Sequence, residues 1–178
     1  TQHINYPTPT DIDVFYTDET GKLMLPEKLP YGHYAVIEQC AADGYVLENK
    51  PQKFVVDGRN KTVVVEVNNS PQKGIIKISK TGERFSSVTK YNGRYTPFYT
   101  VEYLKGAEFE ITAADDVLTP DGTVRYSKGQ VVARVTTGED GKAESPALYL
   151  GRYIVRETKA PDGMIMDTEP KEVELKYA

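Results

Sequence analysis

Two glutamates occupy the apolar faces of strand-like runs in this sequence. In "GRYIVRET", side chains that alternate across an extended chain place Glu157 on the same face as Tyr153 and Val155. In "GHYAVIEQ", the same spacing places Glu38 beside another tyrosine and another valine. We therefore expect both carboxyl groups to point toward a protein core.

A lysine and an asparagine occupy comparable positions. In "IIKISK", Lys80 shares a face with two isoleucines, whereas Lys77 falls on the opposite face. In "VVVEVNN", Asn69 shares a face with three valines, provided that the strand stays regular to that point. Both side chains are predicted to point inward.

These three residue types together could form a covalent bond. Burial disfavours charged amines and carboxyl groups, so a buried lysine tends toward the neutral amine and a buried glutamate toward the neutral acid. A neutral amine is a nucleophile, a carboxamide is an acyl donor, and a protonated carboxyl group can polarise the carbonyl and pass a proton to departing ammonia. The product would be a lysine–asparagine isopeptide bond.

Each of these residues also has an ordinary structural interpretation. Glu157 could be capped by backbone amides or lean toward solvent, and Lys80 could extend past the isoleucines to reach water. Asn69 could form a turn with the Ser-Pro step that follows it. The second glutamate, Glu38, in an equivalent run favours the chemical interpretation for the glutamates.

The elements that must position these residues are strands. No sustained 3.6-residue apolar pattern occurs, whereas alternating runs rich in valine, isoleucine, tyrosine and threonine recur between turn-forming stretches. The predicted strands are "HYAVIEQ", "QKFVVD", "TVVVEVN", "GIIKISK", "GAEFEITAA", "GQVVARVTT", "GRYIVRET" and "KEVELKYA". Short strands at this spacing predict an all-β sandwich or barrel.

The chain also repeats itself. The segment from Thr17, "TDETGKLMLPEKLPYGHYAVIEQCAADGYVLENKPQKFVV", aligns with the segment from Thr137, "TGEDGKAESPALYLGRYIVRETKAPDGMIMDTEPKEVEL". We predict two modules, at residues 1–70 and 74–178, separated by a proline and a glycine. The first then lacks its N-terminal strands and the second its last strand, as expected for a segment of a longer array.

Composition excludes several function classes. Acidic and basic residues are interleaved along the 178-residue chain, whose net charge is -4, so no basic face for nucleic acid is expected. No run is long and apolar enough to cross a membrane. The two histidines lack metal-type spacing, so no metal or cofactor is predicted. The single cysteine, Cys40, cannot form an internal disulfide and is interpreted as a small buried apolar residue.

Four stretches carry a resemblance to a known family. "GAEFEI", the turn "TTGEDGKA", the step "LYLGRYIVRETKAPDGM" and "VEVNNSPQKG" resemble the Cna B-type, or SpaA-type, prealbumin-like domains of Gram-positive surface adhesins and pilins. A looser copy, "GHYAVIEQCAADGY", lies in the first module, so the resemblance covers nearly the whole chain. It implies two tandem Ig-like or prealbumin-like β-sandwich modules.

The resemblance also implies roles for the inward polar residues. Lys80 matches the first-strand lysine of the family's isopeptide bond, Asn69 matches the last-strand asparagine, and Glu157 and Glu38 match the glutamate that promotes the reaction. Each module here holds only part of such a set, so we expect no crosslink in the chain as given. The implied function is a structural stalk segment, not an enzyme, held outside the cell and attached to the wall through other parts of its parent, with neighbouring modules as partners.

An insert at residues 83–105 offers an alternative function. Its tyrosines recur at every fourth position, and the Asn-Gly step and Pro97 favour a hairpin or ordered loop over a helix. The tyrosines could pack against the module or bind a host protein or glycan. The candidate binding residues are Tyr91, Tyr95, Tyr99 and Tyr103.

Overall fold

The computed structural model describes residues 14–25 and 28–177, and within these ranges the chain forms strands and turns but no helix. No membrane-spanning helix therefore occurs in the described part. The opening segment 1–13, assigned above to the first module, lies outside the described residues. The strands are β1 Gly32–Val36, β2 Gln52–Val56, β3 Lys73–Gly74, β4 Lys77–Ser79, β5 Thr81–Tyr91, β6 Arg94–Tyr103, β7 Glu108–Ala113, β8 Val117–Leu118, β9 Val124–Tyr126, β10 Val131–Thr136, β11 Lys142–Glu144, β12 Leu148–Tyr149, β13 Gly151–Lys159 and β14 Lys171–Leu175.

The chain divides into two compact units. Unit 1 comprises Thr1–Gln39 and Glu48–Asn68, and unit 2 comprises Cys40–Leu47 and Asn69–Ala178. The loop Cys40–Leu47, which belongs to the first repeat in sequence, thus clusters with residues of the second. In unit 1, β1 and β2 pair antiparallel, and the rings of Tyr34 and Phe54 stack with centroids 5.6 Å apart.

Unit 2 is built on an antiparallel four-stranded sheet in the order β10-β7-β13-β14. Alternation along β13 buries every second side chain, which places Tyr153 and Val155 on its inner face opposite Ala113 and Ile111 of β7. Short pairs, β4 with β11 and β3 with β12, bring Ile76 and other apolar side chains into the same buried cluster. The predicted all-β, prealbumin-like class is confirmed.

The repeat seen in sequence has structural counterparts. The Tyr34 hydroxyl donates to the Pro30 carbonyl at 2.9 Å, and the Tyr153 hydroxyl donates to the Tyr149 carbonyl at 2.5 Å, four residues back in each case. The turns 18–22 and 138–142, which align in the sequence, also share a pair of backbone hydrogen bonds with the same spacing. Equivalent residues of the two repeats therefore adopt equivalent local structures.

Two sequence expectations are wrong. The predicted strand "TVVVEVN", residues 62–68, forms no strand and pairs with none of the described strands. Asn69 therefore does not end a regular strand, yet it is half-buried and its Oδ1 atom is inaccessible to solvent. Cys40 is exposed, not buried.

The insert forms a hairpin of two long strands, β5 and β6. They pair antiparallel from Thr81 opposite Tyr103 to Tyr91 opposite Arg94. The connecting Asn-Gly pair has positive φ at both residues, 48° and 77°, which is the geometry of a type I′ turn. β5 and β6 pair with no other described strand, so both outer edges of the hairpin are open.

Candidate functional site

The structure brings Lys80 and Glu157 together. The Nζ atom of Lys80 lies 2.9 Å from Oε2 of Glu157, and the exposed fractions of the two side chains are 17% and 1%. Glu157 points inward because it continues the buried face of β13 after Val155. The pair is therefore an ion pair removed almost completely from solvent, with the amino group at its more accessible end.

The backbone of Lys80 is fixed on two sides. Its N–H donates to the Gly141 carbonyl at 2.8 Å, and its carbonyl accepts from the Leu104 N–H at 3.0 Å. Gly141 has a φ of 66°, and a Cβ atom there would lie 2.7 Å from the Lys80 carbonyl oxygen. The glycine of the turn "TTGEDGKA" thus permits the close approach that holds the lysine in place.

The two carboxylate oxygens of Glu157 differ in their surroundings. Oε2 accepts from the Lys80 ammonium and also from the backbone N–H of Asp167 at 2.6 Å. Oε1 is buried and has no hydrogen-bond partner among the described residues. A buried carboxylate oxygen without a donor is energetically costly, so the site has unused capacity to bind a hydrogen-bond donor.

A groove of about 240 Å³ opens beside this pair. Strands β4 and β14 both contribute residues to its lining. Each has an open edge, because among the described strands β4 pairs only with β11 and β14 only with β13. Residues from β7 and β13 and from the loop before β14 complete it. The lining residues are Ile76, Lys77, Ile78, Ser79, Lys80, Phe109, Val155, Glu157, Asp167, Glu169, Lys171 and Val173.

The other predicted site residues lie elsewhere. Glu38 belongs to unit 1 and is half-buried, and its Oε2 accepts from the backbone N–H of Glu48 at 3.0 Å. Asn69 belongs to unit 2 but does not line the groove beside Lys80 and Glu157. The described residues hold no cluster of three or more potential metal ligands.

Sequence reasoning missed the residue that holds each glutamate. In both repeats the N–H of an acidic residue ten positions downstream donates to the glutamate, Glu48 to Glu38 and Asp167 to Glu157. The side chain of each downstream acid accepts a hydrogen bond from the backbone N–H two residues later, Glu48 from Lys50 and Asp167 from Glu169. The aligned acids in "VLENKP" and "IMDTEP" were the available signal.

The four tyrosines of the insert are exposed. The exposed fractions are 78% for Tyr91, 67% for Tyr95, 57% for Tyr99 and 58% for Tyr103. Cross-strand pairing places the last three on one face of the hairpin, together with apolar residues that include Phe85. Burial against the module, one of the two alternatives for these tyrosines, is therefore not observed.

Tyr153 is the largest fully buried side chain of unit 2. Burial, and to a lesser degree the neighbouring Tyr126 phenol, raises the pKa of Tyr153 above its ordinary value. The pKa of Tyr126 is raised as well, mainly by burial. Both phenols therefore favour their neutral forms in the folded protein.

Comparisons with known proteins agree with this architecture. A family model described as the SpaA prealbumin-like fold domain matches residues 5–71 and 99–178. A solved structure of the Bacillus anthracis TIE protein is 30% identical, with a TM-score of 0.57, and the match covers 90% of this chain but 25% of that one. The chain thus spans about a quarter of the length of that protein.

Two pilin structures are more distant. The T6 backbone pilin of Streptococcus pyogenes serotype M6 is 24% identical over 58% of this chain and 16% of its own, with a TM-score of 0.35. A streptococcal ancillary pilin is 21% identical over 83% of this chain and 39% of its own, with a TM-score of 0.36. No curated protein matches significantly. From the family match, which covers most of its residues, this chain belongs to the SpaA family of prealbumin-like fold domains.

Proposed function

We propose that this chain is a stalk segment of a Gram-positive cell-surface adhesin or pilus-like protein, and that in the parent protein its second module is locked by a self-formed isopeptide bond at Lys80. The observation that carries the proposal is the buried contact of 2.9 Å between the Lys80 amine and Glu157, beside an open groove. The parent protein would hold this segment outside the cell and attach it to the wall through other regions.

The reaction can be written with its atoms balanced. The Lys80 ammonium passes a proton to Glu157 along their hydrogen bond, which leaves a neutral amine and a neutral acid. The amine nitrogen attacks the carboxamide carbon of an asparagine in the groove. Glu157 gives its proton to the departing nitrogen and takes up the proton that the attacking nitrogen loses as the new amide forms, so it ends as a neutral acid. One C–N bond forms, one breaks, and ammonia leaves. An aspartate acceptor would release water instead.

The acceptor would come from a strand that follows β14. In the first repeat, β2 is followed by residues 57–69, which end at Asn69, and β2 aligns with β14. A segment equivalent to residues 57–69 would therefore continue from β14, and it would become a strand by pairing in the groove between β4 and β14. Its asparagine amide would supply the hydrogen-bond donor that Glu157 Oε1 lacks.

Such a bond suits a load-bearing role. It joins the first strand of the module to its last, so a pulling force applied at the ends passes through the crosslink and not through the hydrogen-bonded ladders. Like a disulfide, it restricts the unfolded chain, yet it needs no oxidising conditions. The reaction occurs once per molecule, so the segment is not an enzyme.

Single-molecule pulling tests the stalk proposal. The sample is the chain through Leu175 followed by a second copy of residues 57–72, which provides a closing strand. We expect the residues between Lys80 and the added Asn69 to remain unextended under force, whereas the Lys80→Ala variant releases them. Full extension of the second module in the unsubstituted chain would overturn the proposal.

A second candidate function is recognition of another protein by the hairpin. The apolar face with Tyr95, Tyr99 and Tyr103 is exposed, and both hairpin edges offer unpaired backbone groups to an extended segment of a partner. Residues 72–98, which include most of the hairpin, also fall outside the family match. The Tyr95→Ser and Tyr99→Ser variants are expected to lose binding to host extracellular proteins, while Thr96→Ser, on the opposite face, retains it. Equal binding by all three would exclude this role.

A further inference from the structure

The loop Cys40–Leu47 is attached to the linker that follows the first repeat. The Gln72 N–H donates to the Gly44 carbonyl at 2.7 Å, and the Val46 N–H donates to the Ser70 carbonyl at 2.8 Å. These two bonds flank an antiparallel bridge between Tyr45 and Pro71. The loop and linker thus form a short two-stranded contact within unit 2.

The same loop also packs on a turn of the second module. A Cβ atom on Gly44 would lie 2.8 Å from Cγ of Pro120, and the φ of Gly44 is 82°. Leu118 and Leu150 line a small cavity of about 80 Å³ at this contact, together with Pro71 and Gln72. Gly44 therefore meets the following module at a distance that no larger residue permits.

The second repeat contains the same loop in the same conformation. The Met164 N–H donates to the Pro161 carbonyl at 3.0 Å, as Tyr45 donates to Ala42 at 3.1 Å. The φ of Gly163 is 79°, close to that of Gly44. The loop of the second repeat thus has the turn hydrogen bond and the glycine conformation that the loop of the first repeat has where it packs on the second module.

In the described part of the chain, Gly163 and Ile165 of this second loop have nothing docked on them, although Met164 between them packs against β5, with its Sδ 3.5 Å from a Cβ placed on Gly82. No described atom lies within 4 Å of a Cβ placed on Gly163, and Ile165 is 94% exposed. In the described part of the chain, the Gly163 carbonyl and the Ile165 N–H, which match the docking groups at positions 44 and 46, have no backbone hydrogen bond. Exposed apolar surface next to unpaired backbone groups marks an interaction site.

We propose that residues 161–166 form the docking surface for a following module of the same family. The partner would present a linker like Ser70-Pro71-Gln72, whose carbonyl and N–H pair with Ile165 and Gly163. It would also present a Thr-Pro-Asp-Gly turn like that of residues 119–122, whose proline packs on Gly163. The inference rests on the stalk proposal only in requiring that a module follows, and it is independent of the crosslink.

A matched pair of glycine variants tests the contact. Gly44→Ala and Gly163→Ala carry the same backbone strain, because both glycines have φ near 80°, but only the first also clashes with a proline. In the chain as it stands, we expect Gly44→Ala to lower the melting temperature of unit 2 more than Gly163→Ala does. Replacing Pro120 by glycine should abolish that difference.

The decisive sample is a tandem chain in which residues 1–175 are followed by residues 57–178. There the added copy supplies a linker and a turn, so Gly163→Ala should become as destabilising as Gly44→Ala. The backbone amide of Ile165 should become as protected from hydrogen exchange as that of Val46. An Ile165 amide that exchanges equally fast in both chains would overturn the proposal.

Failure of the crosslink is distinguishable from failure of the docking. Asn69→Ala in the added copy of the tandem chain removes the acceptor and so the isopeptide bond, which intact mass detects, but keeps Lys80, Glu157 and the loop 161–166. We expect Ile165 to stay protected in this variant. Protection that disappears with the acceptor would show that the loop is ordered by the crosslink and not by docking, and would also overturn the proposal.

Discussion

The two carboxylate oxygens of Glu157 differ in their hydrogen bonding. Its Oε2 accepts from Lys80 and from the Asp167 N–H, while Oε1 is buried without a partner in the described part of the chain. An unpaired buried acceptor costs about 1–3 kcal/mol, so a donor that reached Oε1 would stabilise the site. The arrangement fits a site that awaits a further hydrogen-bond donor.

Alternation along the strand was enough to predict that Glu157 and Lys80 point inward, since a strand has only two faces. It could not predict that they meet, because their contact depends on packing between strands far apart in sequence. It also could not predict the role of Asp167, because a loop sets the position of its backbone N–H. For Asn69, the side-chain oxygen is buried, but alternation does not explain this because the strand on which the prediction relied is not formed.

The Lys80–Glu157 pair should show strong energetic coupling. Lys80→Met leaves a buried carboxylate without its cation and should lower the free energy of unfolding by about 3–5 kcal/mol. Adding Glu157→Gln should recover much of this loss, because no unpaired charge remains. Chemical denaturation of the single and double variants measures the coupling.

Lys77→Met is the matched control. Its ammonium pairs with Glu144 at 3.2 Å, but both side chains are more than half exposed, so the expected change is about 0–1 kcal/mol. If Lys80→Met were as mild as Lys77→Met, the buried pair would not have the energetic role described here.

At the scale of elements, strands with partners were predictable and one without a partner was not. The alternation in "GRYIVRET" and "KEVELKYA" corresponds to β13 and β14, which pair with each other. Residues 62–68 have an equally strong strand pattern but form no strand, because strand structure requires a hydrogen-bonded neighbour as well as propensity. The hairpin was predictable from its Asn-Gly turn, whose conformation is local.

The hairpin should be dispensable for the stability of unit 2. Replacing residues 84–100 by a two-residue Asn-Gly turn connects Glu83 to its cross-strand partner Val101 and leaves a short hairpin. Because the removed side chains are exposed, the free energy of unfolding should change by no more than about 0.5 kcal/mol. Urea denaturation measures it, and a loss of several kcal/mol would mean that the hairpin supports the core.

At the scale of the whole molecule, core tyrosines should make the fold sensitive to alkaline pH. The pKa of Tyr153 is raised in the folded state, chiefly by burial, so the folded form holds its proton more tightly than the unfolded form does. This stabilisation is complete below the unfolded pKa of about 10 and is lost as pH rises beyond it. The melting temperature should therefore fall above that pH.

Tyr153→Phe isolates the contribution of this residue. The variant loses the hydrogen bond to the Tyr149 carbonyl, which lowers stability at every pH. Its melting temperature should fall less steeply with alkaline pH than that of the unsubstituted chain. Tyr126, whose pKa is also raised, should contribute to the remaining decline. An unchanged slope in the Tyr153→Phe variant would contradict the assignment.

The central claim is that Lys80 and Glu157 form a reactive half-site that lacks only its acceptor strand. Intact mass spectrometry of the chain through Leu175, extended by residues 57–72, tests it most directly. We predict a mass one ammonia below that of the sequence, and full sequence mass for Lys80→Ala, for Glu157→Ala and for the chain without the extension. Full sequence mass in a folded, extended chain would contradict the account.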